Sequence, residues 1–420
     1  MIHQISRKLR AQIHKFSGEL CTEFGKVATR FVEEMIYGMT ASGSVLLTEV
    51  ARVLEESIDL HATHKRLSAN LGNEELGEKI AAKVLEHGAG RIDDETLLIV
   101  DPSDLTKKYA QKMEYLAQVR DGSEKTLGNG YWLCEVVGCE VGSQDITPLA
   151  QILWSQEAPD FVSENHEVSS LVDRVLKATD YRGILVYDRG GDRREFLRPW
   201  TADDRIDYMI RQRGDRHLLY KKQTRSGLEL ARICKTPYAQ TVVKQKDEQE
   251  KVYHIQFGYL PVRLPDYPDR PLWLLVVKGF GQKPMMILTT KSLRRNRKVL
   301  WWAVEAYLTR WRVEDTIRFI KQSYDLENIR VMTYQRLRNL VTLLLAVAYF
   351  TAVRLGSTAK LRILMSYGLK AAKRLFGIPD FKYYALADGL KDILFKTAKG
   401  PLHRRGDKIG TDPQIPLFDT

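Results

Sequence analysis

The feature that most restricts how this chain can fold is a set of short apolar runs that alternate with helical spacing between residues 91 and 213. Leu97-Leu-Ile-Val-Asp101 is a buried-strand run. Tyr131-Trp-Leu-Cys-Glu-Val-Val-Gly-Cys139 and Thr147-Pro-Leu-Ala-Gln-Ile-Leu-Trp154 are two more strand candidates, separated by turn residues. Val162 to Thr179 then carries the apolar spacing of an amphipathic helix, Ile184-Leu-Val-Tyr-Asp188 returns as a strand, Arg193 to Trp200 opens a helix, and Tyr208-Met-Ile-Arg-Gln-Arg213 is a further strand. Strands joined by tight turns pair antiparallel and strands joined through helices pair parallel. The order therefore predicts an α/β fold, a mixed sheet flanked by helices.

On either side the texture differs. Residues 1–90 read as helical: Phe16 to Met39 has helical spacing, a helix opens near Ser44 as N-cap, and a short one follows over Thr63 to Leu71. Two short helices joined by a turn, the second carrying Lys65 and Arg66, fit a helix-turn-helix reader of DNA. Residues 213–271 read as a β-rich insertion. Apolar strands resume at Leu272 and Met285, a long helix is expected over Arg297 to Ser323, helical segments continue to about residue 399, and the last twenty residues look like a tail. The expected division is 1–90, 91–350 interrupted by 213–271, and 351–420.

Composition enters as an exclusion. With 44% hydrophobic and 28% charged residues over 420 positions, the chain is no disordered or collagen-like polymer. Leu340 to Val353 is shorter than the roughly 20 residues needed to cross a bilayer, so it reads as a core helix. The N-terminus lacks the apolar segment of a secretory signal, and the four cysteines form no C-x-x-C pair, which points to a cytoplasmic chain with buried thiols and no membrane association. The net charge of +12 is unevenly spread: residues 291–405 hold 24 basic and 8 acidic residues, net +16, so the other 305 sum to −4. A positive field confined to one region is the footprint of a face that binds a polyanion, or else of a solvated surface that aids solubility.

Three acids carry the chemistry. Asp101 and Asp188 each end a buried-strand run, where neighbouring strands can bring carboxylates to one sheet edge, although Asp is also common at the start of a turn. The third is on the long helix, in Tyr307-Leu-Thr-Arg310-Trp-Arg-Val-Glu314 and on to Lys321. At about 100° per residue, Arg310, Glu314 and Lys321 lie within roughly 60° of Tyr307, on one narrow stripe. Such a stripe is either an ion-pair face or part of a site. Converging carboxylates repel unless a cation neutralises them, and oxygen-only ligands select Mg²⁺ or Mn²⁺. Two such ions suit in-line displacement at a phosphodiester. No Walker-type loop occurs, which argues against ATP.

The spacing Tyr307-(2)-Arg310-(3)-Glu314-(6)-Lys321, with Val100-Asp-Pro-Ser-Asp-Leu-Thr-Lys107 and Tyr187-Asp-Arg-Gly-Gly-Asp192, resembles the bacterial insertion-sequence DDE transposases of the fourth type. That resemblance implies an RNase H-like core and two metal ions bound by Asp101, Asp188 and Glu314. It also implies phosphates of the transposon end held by Tyr307, Arg310 and Lys321, and a homodimer that pairs terminal inverted repeats and joins 3′-hydroxyls to target DNA. Localisation would be at the nucleoid. One departure is Gly190-Gly191 where relatives often have Glu-Ala, so the role of that Glu does not carry over; Asp104 and Asp192 remain supporting candidates. A catalytically silent DNA-binding protein and a stand-alone metal-dependent nuclease are the alternatives.

Overall fold

The computed structural model describes residues 2–107, 110–120, 126–246, 249–329, 331–356, 360, 363, 382–397 and 400–402. Five helices open the chain: α1 (Ile2–Leu20), α2 (Lys26–Ser42), α3 (Leu47–Leu54), α4 (Leu60–Leu71) and α5 (Leu76–Ala89). The expected continuous helix from Phe16 to Met39 is interrupted at residues 21–25, where Gly25 takes extended backbone angles as the N-cap of α2. Ser44 does not cap α3. Its hydroxyl accepts the Leu46 N–H, but Ser44 stands two residues before the N-cap position at Leu46, and the helix starts at Leu47.

The sheet contains β1 (Leu97–Thr106), β2 (Ala117–Arg120), β3 (Leu127–Cys139), β4 (Ile146–Trp154), β5 (Ile184–Tyr187) and β6 (Asp207–Arg211), with α6 (Glu164–Ala178) after β4 and α7 (Arg194–Ala202) after β5. β3 lies between β1 and both β2 and β4, all antiparallel, while β1, β5 and β6 are parallel neighbours. The path β4-β3-β1-β5-β6 is the mixed sheet that the element order predicts, and it is consistent with an RNase H-like core. β7 (His217–Tyr220), β8 (Gln223–Ser226), α8 (Gly227–Ile233), β9 (Tyr238–Lys246), β10 (Gln249–Leu264), β11 (Tyr267–Lys278) and β12 (Met285–Thr289) follow. β12 pairs with β6 and β11 with both β12 and β10, so β11 runs through residue 271 and the β-rich segment continues the central sheet. α9 (Arg297–Ser323), a 3₁₀ turn at Leu326–Asn328, α10 (Tyr334–Tyr349), a π-helical turn at Phe350–Arg354 and α11 (Lys382–Thr397) complete the described elements.

Strand side chains alternate between faces. Leu97 and Ile99 of β1, Ile184 and Val186 of β5 and Leu133 and Val137 of β3 enter one core, with Ala303, Val304, Tyr307 and Leu308 of α9 and the apolar side of α10. Leu98, Val100, Leu185 and Val136 enter the other, covered by Val168, Leu171 and Val175 of α6 and by Phe196 and Trp200 of α7. The result is three layers, with the sheet buried on both faces. The stretch Tyr334–Arg354 is 21 residues with mean hydropathy 1.4, long and apolar enough to cross a membrane, yet 78% of its apolar window is buried against the rest of the chain. It forms the spine of the first core.

Candidate active site

The parallel register places the two aspartates. Leu97, Leu98 and Ile99 of β1 face Ile184, Leu185 and Val186 of β5. Asp101 and Asp188 each lie two residues beyond the last of these pairs, so they stand at the same level and on the same side as Ile99 and Val186, the side that carries α9. Asp188 also starts a tight 3₁₀ turn, its Oδ1 accepting the Gly190 N–H at 2.6 Å. This turn accounts for the two glycines. A Cβ on Gly191 would lie 2.6 Å from the Tyr187 ring, and one on Gly190 would lie 2.8 Å from Asp188 Oδ1.

α9 crosses this face and is held there by the β3–β4 turn, where the Gly142 N–H donates to Thr309 Oγ1 at 2.8 Å. Its stripe enters the core. Tyr307 is fully buried and Arg310 is 5% exposed, whereas the Glu314 side chain is 37% exposed. Arg310 Nη1 donates to Glu314 Oε1 at 2.5 Å, and its guanidinium lies 5.6 Å from the Tyr307 ring centroid. Burial disfavours the Arg310 charge, but Tyr307, Glu314, Asp101 and Asp188 together outweigh it and leave the pKa raised. One cation thus feels all three acids. Burial raises the Tyr307 pKa against the pull of Arg310 and Arg211, so it is a neutral phenol at physiological pH. Arg310 Nε is buried without an acceptor, and the buried Tyr307 hydroxyl interacts with the neighbouring Arg310 guanidinium. A buried donor left unsatisfied costs about 1–3 kcal/mol, a condition Arg310 Nε shares with Arg66 Nε and Trp132 Nε1 elsewhere in the chain. Lys321 lies on α9, but its side chain is outside the described residues. Trp311 packs edge-on against Phe280 and Tyr307, and Trp301 packs against Phe257.

No group of three or more His, Cys, Asp or Glu side chains among the described residues stands close enough to hold one metal ion. The donors suit a hard cation in chemistry, being carboxylate oxygens only. Glu314 would have to exchange Arg310 for the ion.

The reading of the sequence missed Glu135. This acid in the middle of the apolar run of β3 is 1% exposed and pairs across the sheet with Asp101, on the same face. An acid inside an otherwise apolar strand was the one signal of it. Asp104, three residues past Asp101, falls on the opposite face and accepts the Thr106 hydroxyl at 2.8 Å. Asp192 is buried and structural: its carboxylate takes the Arg216 Nε–H and, at 2.7 Å, the Arg213 N–H, fixing the chain that follows β6.

The N-terminal candidates separate. Lys65 is exposed on α4. Arg66, its neighbour, donates to Glu34 at 2.6 Å and to Glu56 at 2.9 Å, and Arg30 joins the same two carboxylates.

Residues 147–350 match the family described as "Transposase DDE domain", a stretch that includes Asp188, Tyr307, Arg310 and Glu314 and begins after Asp101 and Glu135. Among solved structures, the chain is similar to piggyBac transposase in a synaptic complex with hairpin DNA, at 10% identity and a TM-score of 0.46, covering 92% of this chain and 82% of that one. No curated protein matches.

Proposed function

We propose that this chain is a DNA transposase that binds the terminal inverted repeats of its own element, cleaves them and joins the freed 3′-hydroxyls to target DNA. The observation that carries the reading is the buried Arg310 guanidinium, with Nε lacking an acceptor, stacked near Tyr307 and within the field of Asp101, Asp188 and Glu314. A phosphodiester supplies the acceptor that Nε lacks. The transposase-domain match over 147–350 supports the choice of DNA as substrate.

Asp101, Asp188 and Glu314 are the residues that would hold divalent metal, Mg²⁺ or Mn²⁺. Two such ions would activate a water or 3′-hydroxyl and stabilise the leaving oxygen. Arg310 and Tyr307 would orient the phosphate, and Lys321 would add a cation further along the same helix. Were Glu314 to ligate a metal, the Arg310 Nη1–H that it now accepts would be free to bond the phosphate. Lys65, with Arg66 behind it, is the proposed contact of the N-terminal helices with DNA, and a homodimer would pair the two ends.

The test is cleavage and strand transfer on inverted-repeat DNA with Mg²⁺ or Mn²⁺. Asp101→Ala, Asp188→Ala and Glu314→Ala should each abolish product while leaving DNA binding intact, and unchanged activity in any of them sinks the assignment. Binding without cleavage in the unmutated chain would favour a silent DNA-binding protein, and cleavage without strand transfer a nuclease.

A further inference from the structure

Lys107 is the most buried cation among the described residues, at 2% exposure, and it lies outside the proposed chemistry. It follows the last residue of β1, and its backbone N–H is held by Asn129 O at 2.6 Å. Its ammonium crosses to the turn that closes α9, where Nζ donates to Leu326 O at 2.5 Å and Glu327 O at 2.8 Å. The strand carrying Asp101 and the helix carrying Glu314 are therefore tied together at their C-terminal ends.

Leu326 O also accepts the Ile329 N–H at 3.4 Å, and a donor at these carbonyls adds to the closure of the turn. A lysine is nevertheless an expensive choice. Burial drives its pKa from 10.5 to about 7, only partly opposed by Glu327 and Asp325, and an apolar side chain would fill the same volume without that cost. What the lysine adds is direction. Apolar contacts along α9 tolerate sliding, whereas a point donor bonded to two carbonyls does not.

α9 is 27 residues, about 40 Å, and a slip of one residue moves each side chain by about 1.5 Å and turns it by about 100°. Such a slip would carry Glu314 away from the sheet face that Asp101 and Asp188 share. We propose that Lys107 is a positioning residue for the carboxylate site, pinning the turn after α9 to the end of β1 and so setting the register of Glu314 against Asp101. Two other bonds restrain α9 and its turn, from Val45 N to Tyr324 O at 2.9 Å and from Gly142 N to Thr309 Oγ1 at 2.8 Å, but neither touches the strand that bears Asp101.

The proposal rests on the transposase reading, so its test has two arms. The first is the rate of end cleavage at saturating DNA with Mg²⁺. Lys107→Met, which keeps the length and loses the donor, should lower kcat about tenfold to a hundredfold with KM for DNA within about twofold. Lys107→Gln, which keeps a donor without the charge, should recover part of that loss, and it decides between the outcomes if the Met variant does not fold. The second arm is amide hydrogen exchange over residues 315–329, which should quicken in both variants relative to the unmutated chain. Wild-type kcat together with unchanged exchange overturns the proposal. Faster exchange in a chain that never cleaves DNA supports the latch and removes the transposase reading instead.

Discussion

Two regions of the molecule bury charge on helices, and they do so to opposite ends. In the N-terminal bundle, Glu34 is fully buried, but Arg30 and Arg66 both reach it, and Glu56 accepts from both as well. In α9, Arg310 is almost as deeply buried, yet it bonds Glu314 with one nitrogen and leaves Nε without an acceptor next to the buried Tyr307 ring. In the first cluster each carboxylate is served by two arginines and the network contributes to folding, although Arg66 Nε is likewise buried without an acceptor. The second pairs one arginine with one carboxylate that is 37% exposed, and that difference is what the proposed phosphate contact draws on.

The largest expected effect tests the second cluster. Asp188→Ala should reduce DNA cleavage by about 10³-fold or more, since residues that act as one catalytic unit fail together. Thermal stability should change little, because Asp188 is only half-buried. Arg66→Ala should behave in the reverse manner, lowering stability by about 1–3 kcal/mol in urea denaturation by removing one of the two arginines that serve Glu34. A loss of DNA affinity with no loss of stability would show instead that this cluster contacts DNA.

Lys107 sharpens the comparison through pH. Its folded pKa, about 7, lies below the ordinary 10.5, so between those values the unfolded chain binds more protons. Stability from this group is therefore fully present above about 10.5 and is lost as pH falls through about 7. Denaturation measured from pH 7 to 10 should show a rise with pH that Lys107→Met flattens, and an equal slope in both proteins would contradict the buried placement. Gly191→Ala should cost about 1–3 kcal/mol by forcing a methyl against Tyr187, with cleavage reduced because the turn that aims Asp188 shifts. The smallest effect is expected at Lys65→Ala: stability within about 0.5 kcal/mol, with DNA affinity lowered and the salt dependence of binding reduced by about one unit.

Much of the architecture was legible in the order of elements. The strand runs at Leu97, Tyr131, Thr147, Ile184 and Tyr208 each appear as strands, with helices at the expected places and α9 over Arg297–Ser323. Short patterns suffice there because alternation and the 3.6-residue period are local properties of the chain. β2 went unseen, being four residues long and dependent on β3 for its pairing. The break between α1 and α2 was hidden because Gly25 lies within an apolar pattern that reads through it.

For the site, the sequence by itself indicated that Asp101 and Asp188 follow apolar strand runs and that Tyr307, Arg310 and Glu314 share a stripe, but β1 continues past Asp101 to Thr106, so only Asp188 stands at the end of its strand. Tertiary structure alone decided how each charge is paired. Arg66 and Lys65 are adjacent in sequence, and only the position of Glu34, 32 residues away, separates a folding contact from an exposed cation. Glu135 meets Asp101 through strand register, and Lys107 finds its carbonyls 219 and 220 residues away. The physical reason is one of range. Periodicity states which side of an element is apolar, but whether a buried polar atom is satisfied depends on a partner within about 3 Å, and the chain supplies that partner from anywhere along its length.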